Sequence, residues 1–458
     1  MARSQGSDPK EDYTSNESLR GDKEKALPPD EERNAAPPSG DKEEKPAPLS
    51  VNEGPGPPPD GGLQAWLQVL AGFCLFFNTW GILNTFGVYQ TYYESGQLWT
   101  ETSSNISWIG SIQSVMVLVV GAFTGPIFDR GHLRLLLIVG TFGVVFGHMM
   151  LSLCTTFWQS ILAQGFVIGL GGGCLYIPAV ALLPTWFSTK LGLAIGLAAS
   201  GSSMGGIIYP IMFYKLIDQV GFAWSVRILG FTTLATLMIP IFIMKLRVKP
   251  PKARSLIDWT AFTDLPFMTL VLGSLIGFIG LYTGFFYTSY YGQESGLTNA
   301  SLSFYLVPIL NAGSVFGRTL PNMLSDKIGP LNVIAPGAFM VGLVLLCYLA
   351  ASSVGGIVIL ALLFGFFSGI FIALPPVLFV ALTKDKSKIG TRMGMGFTLI
   401  GIGVLCGGPG GGGILGTDRS NLHWTGTWVY AGVTCLVAGV VFTVLRVMRG
   451  GWKLGVKV

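Results

Sequence analysis

Long apolar runs recur along this sequence, and they constrain the fold more than any other feature. Each run is about 20 residues long, the length that a helix needs to cross about 30 Å of hydrocarbon. A water-soluble core has no use for so many runs of this length. We therefore predict an all-α membrane protein with twelve transmembrane helices. The predicted spans are 65–91, 105–127, 133–153, 157–183, 191–214, 222–244, 265–290, 301–323, 331–351, 356–382, 392–415 and 427–447.

The charge distribution excludes several classes of protein. Only 12% of the 458 residues are charged, against about 25% in soluble domains. The net charge is −6 up to residue 60 and +11 beyond it, where the basic residues lie in short loops. This argues against a soluble enzyme and against a nucleic-acid partner. No cluster of His, Cys, Asp or Glu shares one membrane depth, so we predict no catalytic site, no cofactor and no metal site.

Composition also divides the chain. Residues 1–60 are rich in Pro, Glu, Lys, Ser and Asp and cannot bury enough apolar surface to fold, so we predict a disordered tail. We then expect a first six-helix half at 61–246, a basic central loop at 247–264, a second six-helix half at 265–447 and a short tail at 448–458.

Lysine and arginine predict the orientation of the spans. If the first tail is cytoplasmic, the inside segments beyond it carry seventeen Lys and Arg residues and the outside loops carry two. Cytoplasmic loops are enriched in these residues, so both termini are expected in the cytoplasm. We expect a multi-pass protein of the cell membrane, with an internal membrane as the alternative.

The sequence is doubled. Similar segments recur 197 or 198 residues apart. They begin at Tyr89 and Tyr287, at Asp129 and Asp326, and at Ile177 and Leu374. These repeats predict two six-helix halves in parallel orientation, which is typical of secondary transporters that alternate around a site at the membrane midplane.

The turn after the second span predicts a gate. Two glycines four residues apart allow close helix approach, and an acid followed by a base at the turn can form a breakable contact between helices. The alternative is a plain turn with solvated charges. The predicted gating residues, including the repeated acid and base, are Gly121, Gly125, Asp129, Arg130, Asp326 and Lys327.

One cation marks a candidate binding site. Arg318 is the only charge placed well inside a span, where a cation is costly, and no acid lies at a comparable depth. This favours a central cavity for an anionic or polar organic solute over a structural salt bridge. The polar residues expected to share that cavity are Asn84, Asn311 and Ser314. The aromatic candidates, each of which could instead serve packing alone, are Tyr176, Tyr282, Tyr287 and Phe371.

The start of the first span resembles the signature of a known family. Its residues Asp60, Gly61, Gly62 and Trp66 resemble the opening of the monocarboxylate porter family of the major facilitator superfamily. The turn at Asp129 and the arginine of the eighth span are similar to that family too. The run from Asn84 to Glu94 and the long polar tail resemble its fungal branch.

This resemblance implies the major facilitator fold and a proton-coupled transporter that works as a single chain. The cargo implied is an organic acid, a vitamin such as riboflavin, or a secondary metabolite, which leaves efflux and uptake both open. Animal lactate transporters of the family carry a lysine where this chain has Asn84, and an aspartate where it has Ser314. Lactate transport, and the form of proton coupling that uses this lysine and aspartate, are therefore disfavoured. A non-transporting nutrient sensor remains the alternative of another class.

Overall fold

The computed structural model describes residues 56–247, 255–385, 388–418, 421–452 and 456–457. Within them, eleven helical stretches are long and apolar enough to cross a membrane. Because backbone polar groups find no partner in hydrocarbon, each apolar run closes its own hydrogen bonds as a helix. The stretches are α1 (Leu63–Glu94), α2 (Ser103–Asp129), α3 (Leu133–Leu151), α4 (Phe157–Thr185), α5 with α6 (Leu191–Ile243), α7 (Leu265–Glu294), α8 (Ala300–Ile328), α9 (Leu331–Ala350), α10 (Val354–Leu382), α11 (Ile389–Leu415) and α12 (Trp424–Gly450).

The stretch Leu191–Ile243 is 53 residues long and contains two spans. Gly221 interrupts it with a φ of 73° and a ψ of 175°, outside the helical region. We call 191–220 α5 and 222–243 α6. The prediction of twelve spans is therefore confirmed, because the described residues hold eleven apolar stretches of which one is double.

Helix ends repeat with the spacing seen in the sequence. The side chain of Thr102 caps the amino terminus of α2, and Asn299, 197 residues later, caps α8. The same spacing separates Thr156 at α4 from Ser353 at α10. Each side-chain oxygen satisfies a backbone N–H that has no partner inside the helix. The two halves are therefore related in structure as well as in sequence.

The outer helices expose apolar stripes suited to lipid. On α12, valines at 429, 433, 437, 440 and 444 are all exposed, three or four residues apart on one face. On α3, Leu135, Ile138, Phe142 and Phe146 form a similar stripe. Exposed apolar surface of this extent suits hydrocarbon and not water. The protein is an integral membrane protein.

The halves meet along helix pairs that the repeat relates to each other. Helix α2 packs on α11 and α5 packs on α8, while the end of α1 crosses α7. At that crossing the Thr91 hydroxyl lies 3.1 Å from the Ser289 hydroxyl, a residue 198 positions later. Contact between equivalent residues places this crossing near the axis that relates the halves.

The helix bundle has two ends. The central-loop end carries the α2–α3 turn, the α4–α5 loop and the loop between α6 and α7. The far end carries the α1–α2 loop and the α7–α8 loop. At the central-loop end the described part of the loop contains a short 3-10 helix, Trp259–Thr263.

Three predicted segments have boundaries that differ from the structure or lie outside the described residues. The predicted disordered tail up to residue 55, and residues 248–254 of the predicted central loop, lie outside the described residues. Gly56 and Pro57, predicted as part of the tail, accept hydrogen bonds from Arg247 through their carbonyl oxygens. Helix α12 continues to Gly450, beyond the predicted boundary at 447.

Candidate functional site

An enclosed cavity lies between the halves, around the Arg318 side chain. Its wall comes from α1, α4 and α5 in the first half and from α7, α8, α10 and α11 in the second. The cavity volume is about 30 Å³, room for roughly two water molecules. The halves are therefore closed around the site, and a larger solute could enter only when they part.

Arg318 is 1% exposed, and two of its three guanidinium nitrogens donate hydrogen bonds to neighbouring residues. Its Nε donates to Ser314 Oγ at 3.1 Å, one turn earlier on α8. Its Nη1 donates to the Ser202 hydroxyl and, at 3.4 Å, to the Ala199 carbonyl, both on α5. Its Nη2 has no hydrogen-bond partner among the described residues, and no ion pair there neutralises the guanidinium. An unpaired buried donor of this kind is costly unless a ligand accepts from it.

The other polar residues of the predicted set lie close to Arg318 but do not line the cavity. Asn84 Nδ2 donates to Asn311 Oδ1 at 3.1 Å, which joins α1 of the first half to α8 of the second. Asn84 also donates to the Ser202 carbonyl at 3.3 Å. These amides form a buried contact between the halves beside the cavity.

The aromatic residues that were predicted to line the cavity lie in different places in the structure. Tyr176 lines the cavity. Tyr282 is buried among the rings of α7, with its ring centroid 6.0 Å from that of Phe278, which lines the cavity. Phe371 packs behind α7, with its ring centroid 5.5 Å from that of Phe442 on α12. The structure thus brings only Tyr176 and Arg318 from the predicted set to the cavity wall.

Tyr287 lies at the far end, where it connects the halves. Its hydroxyl is 3.1 Å from the Gly408 carbonyl on α11 and 3.3 Å from the Ser103 carbonyl and the Ser107 hydroxyl on α2. Beside it, Phe86 of α1 packs on Phe286 of α7 with ring centroids 4.6 Å apart. These contacts close the far end of the cavity.

The predicted gating residues lie at the central-loop end. Asp129 is buried and Arg130 is exposed. The exposed Asp326 side chain lies against Gly192, at the start of α5 in the other half. A helix amino terminus favours a nearby carboxylate, so this contact between halves is stabilising.

The other predicted gating residues are two glycines of α2 and a lysine of α8. Gly121 lies close to the Tyr176 ring, because a Cβ atom there would be 3.1 Å from the ring edge. Gly125 is buried on the same helix, and Lys327 is exposed. The glycines therefore allow α2 to approach α4 near the cavity, as close packing requires.

A group of charges that sequence reasoning missed fixes the central loop to α11. Asp258 accepts from Lys388 at 3.1 Å and from Arg392 at 3.0 Å, and Arg392 also donates to Asp264 at 2.5 Å. Burial alone would raise the pKa of the Asp258 carboxyl, but hydrogen bonds from Thr260, Arg392 and Lys388 hold it below its ordinary value. In sequence these residues look like ordinary loop charges, so nothing there indicated their pairing.

The signature residues at the start of α1 contact the α4–α5 loop, within the first half. Asp60 has a φ of 51°, a backbone conformation that aspartate tolerates better than most residues, and Gly62 has a φ of 86°. The Asp60 carboxylate accepts from the Ser188 amide and hydroxyl, both at 2.5 Å, and from the Thr189 amide at 2.9 Å. Trp66 packs edge-on against Phe187, with ring centroids 5.2 Å apart. With Gly61 between the two turns, this segment holds the α4–α5 loop.

Replacing Asp60 with asparagine is expected to lower thermal stability at neutral pH, because an amide cannot accept from all three donors. Hydrogen bonds from the Ser188 hydroxyl and amide lower the pKa of the Asp60 carboxyl to about 2. A lowered pKa stabilises the fold above the ordinary value, so the difference between native and variant protein should be constant above about pH 4. It should vanish towards about pH 2, where the native carboxyl gains its proton.

Melting temperatures of the purified proteins across this pH range would measure the effect. The control is Asp218→Asn, at an exposed position on α5. A native protein and an Asp60→Asn variant with equal melting temperatures at neutral pH would contradict the role of this contact.

The fold and the cavity together define a class of protein. Twelve membrane-spanning helices in two parallel halves, closed around a buried cation, are the architecture of a transporter that works by alternating access. The sequence model of the Major Facilitator Superfamily matches residues 68–346 and 312–454. Because these matches cover more than half of the chain, the protein belongs to the Major Facilitator Superfamily.

Proteins similar in sequence to this chain are also named as transporters. The chain is 60% identical to the MFS-type transporter dbaD of Emericella nidulans, over 84% of this chain and 86% of the relative. It is 39% identical to MFS-type transporter 1 of an Ophiocordyceps species, over 87% and 89% of the two chains. It is 36% identical to the aspyridones efflux protein apdF of Emericella nidulans, over 78% and 73%. The protein is a membrane transporter for a small molecule and not an enzyme.

Proposed function

We propose that this transporter exports a secondary metabolite that carries a carboxylate or another strongly polar group. The observation that supports the choice of cargo is Arg318, which lines the cavity and whose buried Nη2 has no partner in the described residues. A guanidinium pairs with carboxylates through charge-assisted hydrogen bonds. The direction of transport is supported by the relative whose name describes efflux of aspyridones.

The mechanism we propose is alternating access between the two closures described above. Opening the far end requires Tyr287 to leave Ser103 and Ser107 of α2, and opening the central-loop end requires Asp326 to leave α5. Arg318 belongs to one half and donates to Ser202 of the other. A carboxylate that accepts from Nη2 with one oxygen and from Nη1 with the other would compete with this contact between the halves, which couples binding to their separation.

The finer assignments are also proposals. We place the protein in the monocarboxylate porter branch, with both termini and the central-loop end in the cytoplasm of a cell-membrane transporter. One chain suffices as the transport unit, because both halves of a single chain line the cavity. Protons are the proposed coupling ion. Glu94, 4% exposed at the far end and an acceptor from Gln90 at 2.9 Å, supplies a buried carboxyl group that could carry one.

Deletion of the gene in producing cells is expected to raise the intracellular amount of one metabolite several-fold and to deplete it from the medium. Untargeted comparison of cell extracts and culture medium, with and without the gene, measures both. A solute whose intracellular amount falls and whose amount in the medium rises on deletion would instead support uptake of a monocarboxylate or a vitamin such as riboflavin. An unchanged distribution of every solute would contradict transport and favour a sensor. Export that a protonophore leaves unchanged would contradict proton coupling.

A further inference from the structure

Five aromatic rings line the same cavity as Arg318. Phe76 and Trp80 come from α1 and Tyr176 from α4, in the first half, whereas Phe278 and Phe397 come from α7 and α11 in the second. The remaining described wall is mostly aliphatic. A solute in this cavity is therefore surrounded by ring faces and edges, with a single cation to one side.

The rings are arranged around Tyr176 across the seam between the halves. The centroid of the Tyr176 ring lies 5.7 Å from Trp80 and 5.9 Å from Phe397, at interplanar angles of 68° and 79°. Edge-to-face packing of this kind leaves ring faces available to a further ring. Because Phe397 belongs to the other half, parting the halves separates it from Tyr176 and opens a slot between two aromatic walls.

The polar capacity of the cavity is narrow. The Nε and Nη1 of Arg318 already donate to Ser314 and Ser202. Only Nη2 remains without an acceptor among the described residues. One acceptor on the solute can satisfy it. Apart from Arg318, the Tyr176 hydroxyl and the Trp80 indole N–H, the other side chains of the described wall are apolar, so further polar groups on the solute would be buried at a cost.

From these observations we infer that the cargo is a planar aromatic acid. Its ring enters between the Tyr176 and Phe397 walls, and its carboxylate or phenolate oxygen accepts from Arg318 Nη2. This inference rests on the proposed function and narrows it from polar organic solutes to aromatic anions. An aliphatic acid would pair with the guanidinium but would make no ring–ring contact with the aromatic walls. A neutral aromatic molecule would stack between the walls but would leave the guanidinium without an anionic partner.

Four small probes separate these requirements in the purified full-length protein. Benzoate carries both features, cyclohexanecarboxylate has the charge and size without the aromatic ring, benzamide has the ring without the charge, and acetate has the charge alone. Binding is measured at millimolar probe concentration by thermal stabilisation and by quenching of tryptophan fluorescence. We expect benzoate to bind about 2- to 10-fold more tightly than cyclohexanecarboxylate, the range for one aromatic contact. Benzamide and acetate should bind at least about tenfold more weakly than benzoate.

Variants assign the preference to the cavity. Tyr176→Leu should remove most of the advantage of benzoate over cyclohexanecarboxylate, whereas Tyr176→Phe should keep it. The matched control is Phe142→Leu, which removes a ring from the lipid-facing side of α3, where Phe142 is 66% exposed. A preference for benzoate that survives Tyr176→Leu would overturn the assignment.

Failure of this inference is distinct from failure of the proposed function. Equal binding of benzoate and cyclohexanecarboxylate, equal binding of benzoate and benzamide, or binding of none of the four probes would overturn the aromatic acid. The metabolite comparison decides the proposed function separately. A metabolite that is retained in deletion cells but is aliphatic or uncharged would leave export standing and exclude an aromatic acid as cargo.

Discussion

Arg318→Gln is expected to reduce transport by at least about tenfold and up to about a hundredfold, the loss that a buried hydrogen bond between charged groups accounts for. The guanidinium is the only cation among the described residues of the cavity wall, and glutamine removes its charge and its free Nη2 donor. The substitution also removes a buried charge from the membrane interior, which is costly to keep there. We therefore expect the variant to fold and to reach the membrane in normal amounts.

The measurement is export of the identified metabolite from cells that carry equal amounts of native or variant protein. Arg227→Gln is the matched control. Arg227 lies on α6, donates to Ser152 at 3.0 Å and stacks on Trp224, away from the cavity. Arg227→Gln should keep most of the activity. Native rates in the Arg318→Gln protein would remove Arg318 from the binding site.

Much of the architecture could be predicted because hydrocarbon imposes a simple rule on sequence. Each span must be long, apolar and helical, so the twelve spans could be read from hydropathy, and gene duplication left its spacing in the turns and caps. The cost of a buried cation singled out Arg318 in the same way. Features with a large free-energy cost in lipid are visible without a structure.

Apart from Arg318 and Tyr176, the residues of the cavity wall could not be predicted, because in a membrane bundle the lipid face and the interior are both apolar. Hydropathy does not distinguish Phe278, at the cavity, from Phe371, which packs against α12. The position of Trp80 was the one indication in the sequence of a role inside the bundle. It is the only tryptophan in the middle of a predicted span, away from the membrane interface that tryptophan prefers. Nothing in the sequence indicated that Ser202 would accept from Arg318 across the seam.

Among the described glycines, those at the crossing of α8 with α10 leave the least room for a Cβ atom. A Cβ atom on Gly365 of α10 would overlap the Leu310 carbonyl of α8, and one on Gly317 of α8 would overlap the Phe366 carbonyl of α10. Backbone atoms cannot rotate away as a flexible side chain can. The two helices therefore touch through their main chains, and α8 carries Arg318 into the cavity from this contact.

Gly365→Val is expected to destabilise the protein by about 3 kcal/mol, the upper part of the range for an overpacked core, because α8 and α10 must move apart. The same movement displaces Arg318, so transport should fall together with stability. The control lies on the same helix. Gly355 is exposed, and a Cβ atom there would meet nothing within 4 Å, so Gly355→Val should change neither property appreciably. Melting temperatures in detergent and export rates would test both variants, and a Gly365→Val protein as stable as Gly355→Val would refute the main-chain contact.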